Sequence, residues 1–364
     1  MNARINEFQA IVRETSMPES SAGYQRIVID DLQDSGILAL WNQLLAGHGA
    51  HFFQTPQWLA CLRRNEKSMA VLTSFEGRVV ASSVVRRRSV PVAGKGIYIV
   101  ERGPVSENAT ALEAHLQQLV ELYGKDAVAI RISPYEVESD KDETEATLGK
   151  WGWKIVGGTS YLYDATVTVD LGQEIEGIRR AFRRSLRTQI NKARKAGIRV
   201  RNNVGSSEFR TFVREFNAMA RRRGLATIQD EIAEELEHLN GKPGGAQLFV
   251  CDYQGEQVAG ALMIPAADRI IYRWGYSSEA EAHRQLPLSH ALHWEAMQWA
   301  RESGYPFYDF GGYWEERGDE DPINRFKTGF SKHIEKHVRE HVLILRPGMY
   351  VAIQHLTRLR ARWS

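Results

Sequence analysis

Only two cysteines, Cys61 and Cys251, occur in the 364 residues, far apart and with neither a CxxC pair nor a metal-ligand spacing. A structural disulfide is therefore not expected. No apolar run approaches the length that crosses a bilayer. The start, Met1 to Gly23, is polar and lacks the apolar core of a secretory leader, so residues 1–23 read as a loose tail and the protein as cytoplasmic. Nucleophile and cofactor signatures are missing as well: there is no GxSxG elbow, HExxH, phosphate-binding loop or dinucleotide fingerprint. His333, His337 and His341 stand four apart, a spacing that could share one helix face, but Lys332 and Lys336 beside them disfavour a cation site. No metal and no bound cofactor are expected, and the missing triad directs attention to reactions that need no enzyme nucleophile.

What is present is an ordinary globular composition, 43% hydrophobic and 25% charged, in a chain long enough for two cores. Val71 to Ala81 and Phe249 to Ala259 read alike, each a β-rich run, a turn with glycine and a second β-rich run. Gly77 and Gly255 stand 178 residues apart. The shift recurs downstream. Leu112 to Tyr123 has helical apolar spacing, stops at Gly124 and precedes a strand-like run, Ala127 to Ile132. Leu288 to Glu302 repeats that pattern, stops at Gly304 and precedes Phe307 to Phe310; the two glycines are 180 apart. Two matches in one register favour a duplication with its boundary near Thr159 to Thr166. The order of hairpin, helix and strand indicates an α/β (α+β) fold of two layered halves, 24–163 and 164–345.

The net charge is only +2, but it is unevenly spread. Ile178 to Arg201 contains ten Arg and Lys residues, Arg183, Arg184 and Arg187 among them, and no Asp or Glu. Ile178, Phe182, Leu186, Ile190 and Ala193 recur at helical spacing, and Gly197 supplies an end. The spacing predicts one amphipathic helix with a cationic outer side. That side reads either as a solvated face or as a polyanion site for tRNA, a nucleotide diphosphate or anionic lipid; the missing acids favour the second, because ordinary surface helices interleave both signs. The segment 346–364 is a weaker version. Tyr350, Ile353, Leu356 and Leu359 make a stripe beside Arg358, Arg360 and Arg362, suited to an anionic membrane surface or to packing against the body.

Near the end runs FYDFGGYWEERGDEDPINRFKTGFS, Phe307 to Ser331. Asp309 interrupts an apolar strand, so its carboxylate must be hydrogen-bonded, paired or part of a site. Gly311-Gly312 permits a tight turn or a close ligand. The acidic loop Glu315 to Asp321 reads as a solvated lid in preference to a divalent-cation site. Arg325-Phe326-Lys327 follows. A lysine there can stabilise charge on an acyl carbonyl oxygen; it reads equally well as a surface lysine beside a core phenylalanine.

Assembled in order, these segments resemble the Fem family, the peptidoglycan-bridge or methicillin-resistance-factor proteins. Phe53-Gln54 with Trp58, Arg102-Gly103-Pro104-Val105 with Glu107, the basic segment ending Ala196-Gly197-Ile198, and Tyr308-Asp309-Phe310-Gly311-Gly312 with Phe326-Lys327 and Gly329-Phe330 carry the resemblance, from about Phe52 to Leu345. It implies two tandem GNAT-like domains, an aminoacyl-tRNA donor, and an acceptor amine on a nucleotide- or lipid-linked peptidoglycan precursor.

By motif, Glu107 matches an acceptor-binding acid, usually Asp, and Lys327 a functional lysine. Arg63 lies near a cationic substrate contact, Arg223-Gly224 resembles a second-half arginine, and Tyr272 or Tyr276, with Tyr272 preferred, matches a cleft tyrosine. Some members carry a long helical arm in the second half, and Ser206 to Gly245 is too short for one. An acyl-CoA or acyl-carrier thioester is therefore the alternative donor, and a non-catalytic polyanion-binding module the alternative class. The resulting expectation is amide formation with Lys327, Asp309 and Glu107 in catalytic roles. Arg63, Arg183, Arg187, Arg223, Tyr272, Tyr276, Gly311, Gly312, Arg325 and Phe326 would bind substrate, in the cytoplasm at or near the inner face of the membrane.

Overall fold

The structure, a computed structural model, describes residues 23–29, 32–63, 68–135, 138–156, 163–202, 204–266 and 268–363. The expected tail thus falls, but for Gly23, outside the described residues, as does the first half of the expected boundary, 159–162 of 159–166. The first half runs β1 (Gln25–Ile29), α1 (Ser35–Gly47), a short turn at Phe52–Gln54, α2 (Pro56–Arg63), β2 (Ser68–Phe75), β3 (Arg78–Ser89), β4 (Gly96–Val100), β5 (Val105–Ser106), α3 (Ala109–Tyr123), β6 (Ala127–Ile132), α4 (Glu138–Lys150) and β7 (Lys154–Ile155). The second runs β8 (Ala165–Asp170), α5 (Ile175–Ala181), α6 (Arg184–Lys195), β9 (Arg199–Arg201), α7 (Ser206–Arg222), α8 (Asp230–Leu239), β10 (Gln247–Tyr253), β11 (Glu256–Pro265), β12 (Arg269–Ser277), α9 (Leu288–Glu302), β13 (Phe307–Tyr313), α10 (Pro322–Lys327) and β14 (Ile334–Lys336). β15 (His341–Ile344) and α11 (Pro347–Trp363) close the chain.

The duplication is visible in the turns. Glu76-Gly77 joins β2 to β3 and Gln254-Gly255 joins β10 to β11, and all four residues have positive φ, between 49° and 87°. That is the hairpin turn whose twist matches its strands. Each hairpin also slips register near its turn, at Thr73/Ser74 and at Cys251/Asp252. The sheets repeat one another: β1-β2-β3-β4-β6 in the first corresponds to β9-β10-β11-β12-β13 in the second. In both, the last pair is parallel and the others antiparallel, with α3 or α9 supplying the crossover.

The halves are not separable at residue 345, as the sequence suggested. β15 leaves the second half and pairs with β6 and β7 of the first sheet. β8, the first strand of the second half, follows directly on the first half and lies in the second sheet between β13 and β14. The two crossing segments are tied to each other: Val156 N–H donates to the Glu340 carbonyl at 2.8 Å and His337 N–H to the Asp164 carbonyl at 2.8 Å. One apolar cluster spans both halves, joining Trp41, Phe52 and Leu59 to Phe209, Phe212 and Leu236. Unpaired, those faces would leave a large apolar surface in water. A chain cut near residue 160 therefore breaks a sheet and a core together.

Two local expectations are corrected. The basic stretch is not one helix: it breaks at Phe182-Arg183, both in extended backbone. Phe182 turns inward against Phe330 and Trp294, and Arg183 N–H donates to the Gly329 carbonyl at 2.8 Å. The apolar positions still face inward; Ile178, Leu186, Ile190 and Ala193 are buried. The histidine run does not share a helix. His337 lies in the crossing segment between β14 and β15, stacked on Tyr135 with centroids 4.4 Å apart. Among the described residues no helix is long and apolar enough to cross a membrane, and no group of three His, Cys, Asp or Glu could hold a metal ion.

Candidate active site

The site forms where β12 and β13 part. They pair only at Arg269–Phe307, Ile270–Tyr308 and Ile271–Asp309, whereas β4 and β6 stay paired through Val100. Beyond Asp309, β13 turns at Gly311-Gly312. Gly311 has φ +66°, and a Cβ on Gly312 would stand 2.7 Å from the Tyr163 ring; only glycine fits both positions. The turn presents the Gly312 carbonyl to Lys327, whose Nζ donates to it at 2.5 Å. Lys327 is 7% exposed and sits at the end of α10. Asp321 caps that helix by accepting the Ile323 and Asn324 N–H groups, with Pro322 at its first position. Asn324, fully buried, bonds the backbone of Trp314 and Gly318 and so ties the acidic loop down. The loop, Glu315–Glu320, is two tight turns broken at Gly318, whose φ is +58°, rather than a free lid.

Burial pulls the Lys327 ammonium down to about 8, partly offset by Asp309 and Asp321. A buried ammonium with a lowered pKa, and with no carboxylate in ion-pair contact among the described residues, marks a candidate functional group. His293, whose ring contacts Phe310, Phe326 and Phe330, is held neutral. Burial first, then Lys327 and His290, lower it to about 3.

Asp309 is fully buried. It accepts the Tyr135 hydroxyl at 2.8 Å, the Thr166 hydroxyl and the Gly311 N–H at 2.6 Å, with Arg269 3.7 Å away. Its lone pairs are committed and no solvent reaches it. The catalytic role expected for Asp309 is therefore corrected: it fixes the glycine turn that carries the Lys327 contact. Tyr135 comes from the first half, so this carboxylate also joins the halves.

The other expected residues divide. Glu107 lies at the start of α3, in a first-half cavity of about 450 Å³ that Tyr135 also lines; Arg78 stands 3.4 Å from it. Phe326 borders a second cavity of about 390 Å³ at the N-terminus of α9, with Lys192, Arg284 and His290. Tyr272 packs edge-on against His293, centroids 4.7 Å apart, and its carbonyl lies beside Gly311. Tyr276 is not with it. A register shift between Leu262 and Met263 leaves Arg273 without a cross-strand partner and reverses the alternation. Tyr276 then points into the shared core against Phe212, so it is a packing residue and not a cleft tyrosine. Arg183 is exposed on the basic face and reaches the Arg325 carbonyl at 3.3 Å, while Arg187 is half-buried and donates to the Arg180 carbonyl at 2.8 Å. Arg223 pairs with Glu279 at 2.7 Å on the surface. Arg63 ends α2, and its side chain is outside the described set.

Sequence reading missed Arg102, Arg269, Arg273, Tyr135 and Tyr163, which gather where the halves meet. Arg102 is 1% exposed, donates to the Tyr163 carbonyl at 2.7 Å and lies over the Tyr163 ring at 4.2 Å. The signal for Arg102 was present, in the Arg-Gly-Pro motif. That motif meets the Phe53-Gln54 motif directly, because Gln54 donates to the Glu101 carbonyl at 2.6 Å and accepts the Val84 N–H at 2.8 Å.

Comparison with known proteins agrees with this architecture. The chain matches the FemAB family over residues 46–231 and an acetyltransferase (GNAT) domain over residues 180–328. It is similar to aminoacyltransferase FemB of Staphylococcus epidermidis, 22% identical over 85% of this chain and 94% of that protein. It also resembles a UDP-N-acetylmuramoylpentapeptide-lysine N(6)-alanyltransferase of Weissella viridescens, 20% identical over 78% of this chain and 85% of that one. Among solved structures, FemX superposes with a TM-score of 0.76 at 18% identity, covering 90% of this chain and 99% of its own. A tandem GNAT protein from the clavulanic acid biosynthesis pathway superposes at 0.54 and 12% identity, over 88% and 98%. Both halves thus have the GNAT-like fold, and the chain is an acyl-transferring enzyme that belongs to the FemAB family.

Proposed function

We propose that this enzyme moves an amino acid from an aminoacyl-tRNA to an amine of a peptidoglycan precursor. The observation that carries the reading is the buried Lys327 ammonium, held on the Gly312 carbonyl where β12 and β13 part. The names of the relatives, an aminoacyltransferase and an alanyltransferase acting on a lysine of a UDP-linked muropeptide, support it. In the reaction the acceptor nitrogen attacks the ester carbonyl. A C–N bond forms, the C–O bond to the tRNA ribose breaks, and the amine proton leaves by way of Glu107 or the departing oxygen. Alignment of the two reactants supplies most of the acceleration, and Lys327 stabilises the oxyanion. Incubating the protein with charged tRNA and UDP- or lipid-linked precursors should give a new amide detectable by mass spectrometry; no product from any pairing would sink the reading.

The basic face of α5 and α6 supplies the tRNA contact in this scheme. Replacing Arg183, Arg184 and Arg187 with Gln should lower the slope of log affinity against log salt by about 2, since each lost phosphate contact removes roughly 0.7–0.9. An unchanged slope would make the face a solvated surface. The reading places the enzyme in the cytoplasm. There α11, with Val351 54% and Leu356 50% exposed, is available to an anionic inner membrane surface carrying a lipid-linked precursor.

The cavity at the N-terminus of α9 favours a second reading, an acyl thioester donor, because a helix start with Lys192 and Arg284 nearby suits a diphosphate. Ribonuclease treatment of the donor pool separates the two: it stops transfer under the first reading and leaves it intact under the second.

A further inference from the structure

We propose that Arg273 is the anchor for an anionic group of the acceptor, a carboxylate or a phosphate, in the cleft between the halves; this rests on the reading of the acceptor given above. β12 is an interior strand, where an arginine is ordinarily costly. The register shift beside Met263 removes Arg273 from the ladder and turns its side chain out of the sheet at the point where β13 departs. There its exposure and its surroundings differ in kind. The side chain is solvent-exposed, yet protein crowds it enough that burial is the first cause lowering its pKa. A group that is wet and surrounded lies in a cleft.

Its contacts show what it is prepared to hold. The guanidinium lies over the Phe53 ring at 5.0 Å and the Trp274 ring at 4.6 Å. Phe53 belongs to the first half and Trp274 to the second, so both halves fix its orientation. Rings take the faces of a guanidinium and leave its N–H edge for a ligand. No carboxylate stands within 4.0 Å of it among the described residues. The carboxylate that acts on it, Glu101, is already engaged with Arg86 at 2.8 Å. By contrast Arg269, four residues earlier on the same strand, is paired with Asp268 at 2.8 Å and Glu335 at 2.6 Å. Arg102, which also acts on Arg273, adds positive potential without neutralising it. A fork of N–H groups with stacked faces, raised local potential and no internal partner matches a planar or tetrahedral oxyanion bidentately. It stands beside Tyr272 and across from Tyr163, at the glycine turn that positions Lys327. An acceptor gripped there by its acidic group can bring its amine to that turn.

The test compares Arg273→Gln and Arg273→Lys with the unaltered enzyme. KM for the acceptor should rise roughly 10- to 100-fold in Arg273→Gln, less in Arg273→Lys, which keeps charge but not the fork, while KM for the donor moves less than about threefold. Acceptors with the stem-peptide carboxylates amidated, or with the diphosphate removed, identify the group held. Loss of the recognised group should weaken binding to the unaltered enzyme and leave Arg273→Gln indifferent. Unchanged acceptor KM in Arg273→Gln overturns the proposal. If the unaltered enzyme uses no such acceptor, the functional reading fails separately, and the anchor is then read by citrate and by pyrophosphate. Either anion raising the melting temperature of the unaltered protein but not of Arg273→Gln supports the anchor; no stabilisation by either, or equal stabilisation of both proteins, refutes it.

Discussion

Replacing Lys327 with alanine is expected to lower kcat/KM by about 100- to 1000-fold, the loss that follows removal of one preorganised group facing a developing oxyanion. Polyanion binding through the α5–α6 face should survive, because that face lies on other elements. Lys327→Arg should recover little. At 7% exposure the site holds an ammonium, and a larger planar guanidinium cannot donate to the Gly312 carbonyl in the same geometry. Retained turnover in Lys327→Ala would remove the lysine from the chemistry.

The same residue predicts opposite pH responses for activity and stability. Its folded pKa is lowered to about 8 from an ordinary 10.5. Transfer that needs the ammonium is therefore fully present below that value and falls as pH rises through about 8. For stability, the unfolded chain binds the lysine proton more tightly than the native state does. Between about 8 and 10.5 the unfolded state thus holds more protons, and this site's contribution rises with pH by up to about 3 kcal/mol. Activity falling while this term of stability rises, with the lysine-dependent slope lost in Lys327→Met, is the expected pair of results from rate and unfolding measurements.

How far this was legible depended on how local each feature is. The hairpins, α3, α9 and their following strands announced themselves, because turn chemistry and apolar spacing are decided within ten or fifteen residues. The crossing of β15 into the first sheet was not legible. β7, β14 and β15 span only 2, 3 and 4 residues, and their charged and histidine-rich sequence has meaning only beside the partner strand. A four-residue histidine spacing is shared by helices and strands, and was no guide to either. Lys327, Gly311 and Gly312 were found because an odd residue in an apolar run is visible in one dimension. Arg273 was not, since nothing in Ile-Tyr-Arg-Trp-Gly-Tyr states that β11 will slip register there. That slip also parted Tyr272 from Tyr276, which look equivalent in sequence.

The second large effect belongs to Asp309. Asp309→Ala should destabilise the protein by about 3–5 kcal/mol, because it strands buried donors and breaks a buried charge interaction. The orphaned groups come from three places: the Tyr135 hydroxyl of the first half, the Thr166 hydroxyl of β8, and the Gly311 N–H of the turn. Arg269 keeps Asp268 and Glu335, so the loss is the sum over three orphaned donors and does not add the cost of an isolated buried ion. For a chain of this size that is a fall of roughly 4–7 °C in melting temperature. Tyr135→Phe removes one of those donors and keeps the carboxylate, so it should cost only about 1–2 kcal/mol. If Asp309 positions and does not take a proton, the turnover left in Asp309→Asn should retain the unaltered enzyme's pH profile, with its fall near pH 8. A base would instead leave a profile missing its acid limb. An Asp309→Ala protein that melts with the unaltered enzyme would mean that the carboxylate ties neither the glycine turn nor the two halves.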